Sequence, residues 1–128
     1  MTERLEVADF VIDFRIVVVS AGGVLDLETS PILQSRLVQA LALHHPPHLV
    51  IDLSGVTYAD SFGLTVLLAT DRHVRSAGGR LLVCATGLVM RKTLAERGLD
   101  RVLDVRPTLA EAVRALHPPR PAWGDPPE

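Results

Sequence analysis

Apolar residues along the chain form short continuous runs and also stripes with helical spacing. The β-branched run over residues 16–19 and the apolar run over residues 48–53 are typical of strands that are covered on both faces. Leu33, Leu37 and Leu41 recur every four residues, which gives a helix one apolar face. Strands and helices therefore alternate along the chain, and this alternation predicts an α/β fold.

The order of these elements is β-β-α-β-α-β-α-β-α. The first two strands are predicted over residues 5–10 and 14–19, and the last, short strand over residues 102–105. Glycine pairs separate elements: residues 22–23 are predicted to end the second strand, and residues 78–79 to end the second helix. This order predicts a small mixed sheet of about four to five strands, with parallel βαβ crossovers and about four helices packed on it.

The last residues of the chain differ in composition from the rest. Residues 117–128 are rich in proline and carry no periodic apolar face, so a disordered tail is predicted there. Residues 1–116 are predicted to form one domain, because this length is typical of a single hydrophobic core.

Composition and charge exclude several classes of function. With 13 basic and 15 acidic residues the net charge is −2, and no basic stripe is present, so no direct binding to nucleic acid is expected. The apolar runs are far shorter than the roughly 18 residues that a membrane span needs, and no signal core begins the sequence; a cytoplasmic protein is expected. No phosphate-binding glycine loop is present, and the single cysteine allows no intrachain disulfide, so no cofactor is predicted.

The segment over residues 49–64 carries the candidate chemistry. A buried strand is followed by a loop, predicted over residues 54–61, and by a helix that starts near Ser61. The Ser61 hydroxyl could simply cap this helix. A phosphate on it would meet free backbone N–H groups and the positive end of the helix, so Ser61 is also a candidate modification site.

The sequence around this serine is similar to a known signature. Residues 60–64, Asp-Ser-Phe-Gly-Leu, follow the strand over residues 50–56 and resemble the motif of STAS-domain anti-sigma factor antagonists. Residues 23–26, Gly-Val-Leu-Asp, followed by a threonine, resemble the Gly-x-Leu-Asp loop of that family, which borders the partner surface. The resemblance covers about residues 5–116. The residues that it places at the partner surface are Asp26, Thr29, Asp60, Phe62, Gly63 and Leu64.

The resemblance implies a binding protein and not an enzyme. In the family, the serine after the aspartate accepts phosphate from a serine kinase that is also the anti-sigma factor; carried over, that serine is Ser61. The unphosphorylated protein binds the kinase and so releases a sigma factor, and a serine phosphatase restores this form. The next position often carries a second hydroxyl in the family, but this chain has Phe62 there.

Other functions are weighed against this one. A non-enzymatic STAS scaffold, or a subunit of a larger signalling or lipid-transport complex, is the alternative, and a homodimer is left open. A serine hydrolase would need a glycine where Ala59 stands. His44 and His48 have a metal-like spacing, but the two prolines between them favour a solvated loop.

Two further polar residues lie in apolar strands. Cys84 is predicted to be an inert core residue. Asp52 is expected near the end of its strand with its carboxylate hydrogen-bonded, because a buried unpaired charge is costly.

Overall fold

Among the described residues, five strands form one mixed sheet in which their spatial order is the order of the chain. The computed structural model describes residues 4–13, 15–85 and 87–117. The strands are β1 (Leu5–Ile12), β2 (Ile16–Leu25), β3 (His48–Ala59), β4 (Arg80–Cys84) and β5 (Asp104–Arg106). β1 pairs antiparallel with β2, and the other three neighbouring pairs are parallel. The predicted α/β class and the mixed sheet are confirmed.

Four helices cover the two faces of the sheet unequally. They are α1 (Ser30–Leu43), α2 (Ser61–Ser76), α3 (Leu88–Glu96) and α4 (Leu109–Leu116). Apolar residues of the first three helices share one core with one face of the sheet, and α4 packs against the other face. Along β2, Val17 and Val19 enter the larger core while Ile16 and Val18 enter the core under α4. This alternation explains why the β-branched run is buried on both faces.

Two strands are longer than the sequence pattern predicts. β2 continues past Gly22 and Gly23, and β3 continues to Ala59, so the predicted loop over residues 54–61 is wrong. A Cβ atom on Gly55 would lie 3.1 Å from the Cα atom of Gly22. The glycines therefore allow two strands to approach closely and to absorb register shifts, and they do not end the strand.

The helix starts differ in how they are capped. Thr108 accepts a hydrogen bond from the Glu111 N–H at 3.1 Å and so caps α4. Thr29 precedes α1, but its side chain makes no cap hydrogen bond. Thr86 lies outside the described residues, as do residues 118–128 of the predicted tail. In the part of the chain that the structure describes, no helix is long and apolar enough to cross a membrane.

Candidate functional site

The candidate site lies at the carboxyl edge of the parallel strands, where β2 and β3 end side by side. Leu25 and Ala59 are the last paired residues of these strands. Asp26 directly follows β2 and Asp60 directly follows β3, so both carboxylates lie at the same edge of the sheet. Such an edge is the usual position of ligand and partner sites in parallel sheets.

Asp60 holds the two connections at this edge together. Its Oδ1 atom accepts a hydrogen bond from the Gly63 N–H at 3.0 Å, which caps α2. Its Oδ2 atom accepts a hydrogen bond from the Leu27 N–H at 3.1 Å, in the loop between β2 and α1. The cap of α2 is therefore Asp60, and the interpretation of Ser61 as the capping residue is wrong.

The first turn of α2 packs directly against the end of β2. A Cβ atom on Gly63 would lie 2.6 Å from the Leu25 Cγ atom and 2.8 Å from the Leu25 carbonyl oxygen. Gly63 is therefore required by a close approach within the chain. Leu64 is 3% exposed and belongs to the core. Gly63 and Leu64 are predicted at the partner surface. They instead support that surface from inside the fold and place no side chain on it.

Ser61 is the first residue of α2, and its side chain is exposed. Within the described residues its hydroxyl makes no hydrogen bond, and no imidazole activates it as a hydrolase would require. Of the first N–H groups of α2, Asp60 takes those of Gly63 and Leu64. The N–H groups of Ser61 and Phe62 remain available to an acceptor at the start of the helix.

Asp26 and Thr29 form the framework of the neighbouring loop. Asp26 Oδ1 accepts hydrogen bonds from the N–H groups of Glu28 and Thr29, at 3.0 and 3.1 Å. The Thr29 hydroxyl accepts from the Asp26 N–H at 2.9 Å and donates to the Val24 carbonyl at 2.8 Å. Because Thr29 is 4% exposed and fully engaged, it supports the loop and offers no free group to a partner.

Arg4 closes this loop on its outer side. Its guanidinium contacts the Asp26 carboxylate and lies 2.8 Å from Glu28 Oε2. Desolvation raises the pKa of Asp26, but the hydrogen bonds from Thr29 and Arg4 outweigh it and leave this pKa below its usual range. Asp26 is therefore an ionised residue that is already paired within the chain.

Exposed apolar side chains occur in the segments that flank the serine. Leu27, Tyr58 and Phe62 are 58%, 57% and 54% exposed. We call these three residues together with Ser61 the Ser61 surface. The sequence pattern indicated Phe62 but not Leu27, whose contact with Asp60 joins residues far apart in sequence, and not Tyr58, because residues 54–61 are predicted as a loop. Strand alternation gave no signal for Tyr58, because Val56 is buried while Thr57 and Tyr58 are both exposed, at a register shift between β2 and β3.

Asp52 lies farther from the edge, in the middle of β3. It accepts hydrogen bonds from the Ser54 N–H at 2.9 Å and from the Ser20 hydroxyl at 3.3 Å. Desolvation raises its pKa, but hydrogen bonds from Ser54, Cys84 and Ser20 outweigh it and leave the pKa lowered. The predicted hydrogen bonding is confirmed, while the predicted position near the strand end is wrong. Cys84 is buried beside it, and desolvation raises the pKa of its thiol, so it is an unreactive core residue.

The two histidines with a metal-like spacing lie at the ends of different elements. His44 ends α1 and His48 begins β3. Across the described ranges, no group of three or more His, Cys, Asp or Glu side chains is arranged to hold a metal ion.

The sequence and the fold match known proteins. Residues 8–112 match the STAS domain family. The anti-sigma-F factor antagonist RsfB of Mycobacterium tuberculosis (strain ATCC 25618 / H37Rv) is 34% identical over 101 residues, which are 79% of this chain and 81% of the relative. The crystal structure of an anti-sigma factor antagonist from Mycobacterium paratuberculosis has a TM-score of 0.79 at 33% identity, and the match covers 88% of this chain and 93% of that one.

A more distant structure shows the same fold. The phosphorylated form of the Bacillus cell fate determinant SpoIIAA has a TM-score of 0.65 at 18% identity, over 88% of this chain and 100% of that one. Together with the family match and the mycobacterial relatives, this fold defines the class: the chain belongs to the STAS domain family. The resemblance to anti-sigma factor antagonists that the motif over residues 60–64 indicated is thereby confirmed.

Proposed function

We propose that this chain is an anti-sigma factor antagonist whose binding is controlled by phosphorylation of Ser61. In this proposal the unphosphorylated form binds a serine kinase that is also the anti-sigma factor, and so releases a sigma factor. Phosphorylation ends the binding, and a serine phosphatase restores it. The names of the mycobacterial relatives support the antagonist function. The observation that carries the proposal is the exposed Ser61 hydroxyl, which is unpaired within the described residues and directly precedes the exposed Phe62.

The position of Ser61 allows a phosphate without disturbing the fold. The hydroxyl lies outside the core, and the N–H groups of Ser61 and Phe62 at the positive end of α2 are available to phosphate oxygens. Asp60 keeps its own two hydrogen bonds, so the helix cap does not compete with the phosphate. The modified chain is therefore expected to keep its structure and to differ at its surface.

The chemistry of the Ser61 surface explains how a phosphate would end binding. Leu27, Tyr58 and Phe62 offer apolar area that a partner covers by excluding water. A phosphate on Ser61 adds about −1.5 to −2 charges next to Phe62 and holds water there. The Asp60 carboxylate lies next to it, so the added charge meets a like charge. A loss of about 1–2 kcal/mol lowers affinity roughly 5- to 30-fold.

The decisive experiment compares serine variants with candidate serine kinases from the same genome. The parent chain is expected to gain the mass of one phosphoryl group, located at Ser61 by peptide mapping, and to lose affinity in calorimetry. Ser61→Ala should fold, bind the kinase constitutively and resist modification, and Ser61→Asp should bind weakly. Thr65→Ala is the matched control, because Thr65 is an exposed hydroxyl one turn later whose side chain donates to the Ser61 carbonyl at 2.7 Å.

Two outcomes would contradict the proposal. Phosphate on Ser61→Ala at another residue would show that the switch lies elsewhere. Ser61→Asp binding as tightly as the parent would show that charge at this position does not control the interface, and the scaffold alternative would then be favoured.

The partner surface itself is tested at Leu27. Its side chain is 58% exposed while its N–H holds the Asp60 carboxylate, so Leu27→Ser removes apolar area and keeps the loop. Kinase binding should weaken about tenfold or more, as expected for a residue near the centre of an interface. Leu43→Ser is the control, because Leu43 is 78% exposed at the opposite end of α1. Equal losses for the two variants would show that the Ser61 surface is not the contact.

A further inference from the structure

Arg4 is the outermost member of a series of contacts that ends at the start of α2. It directly precedes β1, and its carbonyl oxygen accepts a hydrogen bond from the Val24 N–H at 2.8 Å, so its backbone is fixed beside the end of β2. Its Nη2 atom contacts the Asp26 carboxylate, and its Nη1 atom lies 2.8 Å from Glu28 Oε2. One guanidinium therefore binds both acidic residues of the loop between β2 and α1.

Arg4 acts on this loop through Asp26. The Asp26 side chain is 15% exposed, and its two oxygens have different partners. Oδ1 accepts hydrogen bonds from the N–H groups of Glu28 and Thr29, while Oδ2 contacts Arg4. Hydrogen bonds between ionised groups are stronger than neutral ones, and they fix the geometry of the carboxylate. Arg4 therefore holds Asp26 in the orientation that closes the turn over residues 26–29.

Leu27 lies inside this turn and connects it to α2. Its N–H donates to Asp60 Oδ2 at 3.1 Å, and Asp60 Oδ1 accepts the N–H that caps α2. The Leu27 side chain is 58% exposed and belongs to the Ser61 surface. Opening of the turn would displace this side chain and also the N–H that Asp60 accepts.

We propose that Arg4 is a positioning residue for partner binding: its pairing with Asp26 and Glu28 fixes the turn that presents Leu27 to the partner. The inference rests on the proposed function, because it concerns binding at the Ser61 surface. Arg4 lies outside residues 8–112, which match the STAS domain family, so the contact is a feature of this chain. A fixed turn loses less conformational freedom on binding, and this raises affinity.

Amide hydrogen exchange of the free chain, measured by NMR, tests the positioning step without any partner. Arg4→Ala should speed the exchange of the Leu27 N–H about fivefold, the upper range for an ion pair between partly exposed groups. The Glu111 N–H is the internal reference, because it also donates to a side-chain oxygen at 3.1 Å, that of Thr108 at the start of α4. Its exchange should stay within about twofold of the parent, which separates a local change from general destabilisation.

Two further variants separate the role of Arg4 from a general effect of losing an arginine. Arg4→Lys keeps one positive charge near Asp26 but loses the second guanidinium contact, so the Leu27 exchange rate should lie between those of the parent and Arg4→Ala. Arg36→Ala is the matched control, because Arg36 forms an ion pair of the same kind at 2.6 Å with Asp9 on β1. It should leave the exchange of the Leu27 N–H unchanged.

Calorimetry with the serine kinase that modifies Ser61 tests the consequence for binding. Arg4→Ala should raise the dissociation constant about fivefold, Arg4→Lys should raise it less, and Arg36→Ala should leave it within about twofold of the parent. An unchanged exchange rate of the Leu27 N–H in Arg4→Ala overturns the proposal. Faster exchange with unchanged kinase affinity also overturns it, because the turn would then not matter for binding.

Weaker kinase binding of Arg4→Ala without faster Leu27 exchange is the third contradicting result, because Arg4 would then touch the partner directly. The failure of the proposed function is distinguishable from these outcomes. If no kinase modifies Ser61, the proposed function fails, while the exchange rates of the free chain still decide whether Arg4 positions the turn.

Discussion

Replacing Gly63 with alanine tests whether the start of α2 must touch the end of β2. The added Cβ atom would lie 2.6 Å from the Leu25 Cγ atom and 2.8 Å from the Leu25 carbonyl oxygen. Both distances are far below ordinary van der Waals contact, and Leu25 is fully buried. The carbonyl also accepts a hydrogen bond from the Asp60 N–H at 3.0 Å, so it cannot move away without straining that contact.

The expected magnitude follows from two opposing effects. Overpacking a well-filled core costs about 1–3 kcal/mol. Alanine is a better helix former than glycine by up to about 1 kcal/mol, which offsets part of this cost. The net loss in the free energy of unfolding for Gly63→Ala is therefore about 1–2 kcal/mol. For a chain of this length, that loss corresponds to a melting temperature lower by roughly 4–8 °C.

Thermal and urea unfolding of Gly63→Ala and of a matched glycine variant provide the assay. Gly87 has a φ of −72° and open space around a built Cβ atom, so Gly87→Ala adds no clash. The lower entropy of the unfolded chain and the poorer N-cap preference of alanine oppose each other, so the free energy of unfolding should change by less than about 1 kcal/mol. The reasoning is refuted if Gly63→Ala melts at or above the temperature of the parent. The same result would show that the start of α2 and the end of β2 are not held in the close contact described for Gly63 and Leu25.

Three further predictions concern parts of the chain outside the Ser61 surface. Truncation after His117 should leave the melting temperature nearly unchanged, as the proline-rich composition predicts; a loss of several degrees in calorimetry would contradict the predicted disorder. Native Cys84 should not react with a thiol reagent at pH 8, since burial raises its pKa, and should react fully in urea; rapid native labelling would contradict its burial. The hydrogen bond from Arg106 lowers the pKa of Asp104 in the folded state, so Asp104 stabilises the fold above the usual carboxyl pKa of about 4, and this stabilisation is lost as the pH falls through the lowered value. The difference in unfolding free energy between the parent and Asp104→Asn should therefore be largest near neutral pH and shrink toward pH 3 in urea titrations; an equal difference at both pH values would contradict the ion pair.

The element order could be predicted because the apolar periodicity changes clearly between strands and helices. The full length of β2 and β3 could not be predicted, because glycine usually marks the end of a strand. Gly22 and Gly55 instead face each other across neighbouring strands, where a Cβ atom on Gly55 would lie only 3.1 Å from the Gly22 Cα atom. A relation between residues so far apart in sequence is not visible in a local pattern.

The candidate site was predicted in position but not in the roles of its residues. The motif correctly predicted that Ser61 and Asp60 lie at the start of a helix. The hydrogen-bond partners of Asp60 became evident only from the structure, because Leu27 is distant in sequence and binds Asp60 through its backbone N–H. Burial likewise decides which motif residues face outward: Phe62 is exposed, whereas Leu64 is in the core. So close to the start of a helix, the spacing of apolar residues does not show which of them is buried.

The sequential strand order has a consequence for how the chain is made. Each new strand adds to the strand before it, from β1 to β5, so the sheet can grow in the order in which the ribosome releases the chain. The hydrogen bonds that position the start of α2 lie within residues 60–64 or join them to residues 25–27. All of these residues lie in the first half of the sequence. Ser61 can therefore reach its final surroundings while β5 and α4 are still to be synthesised.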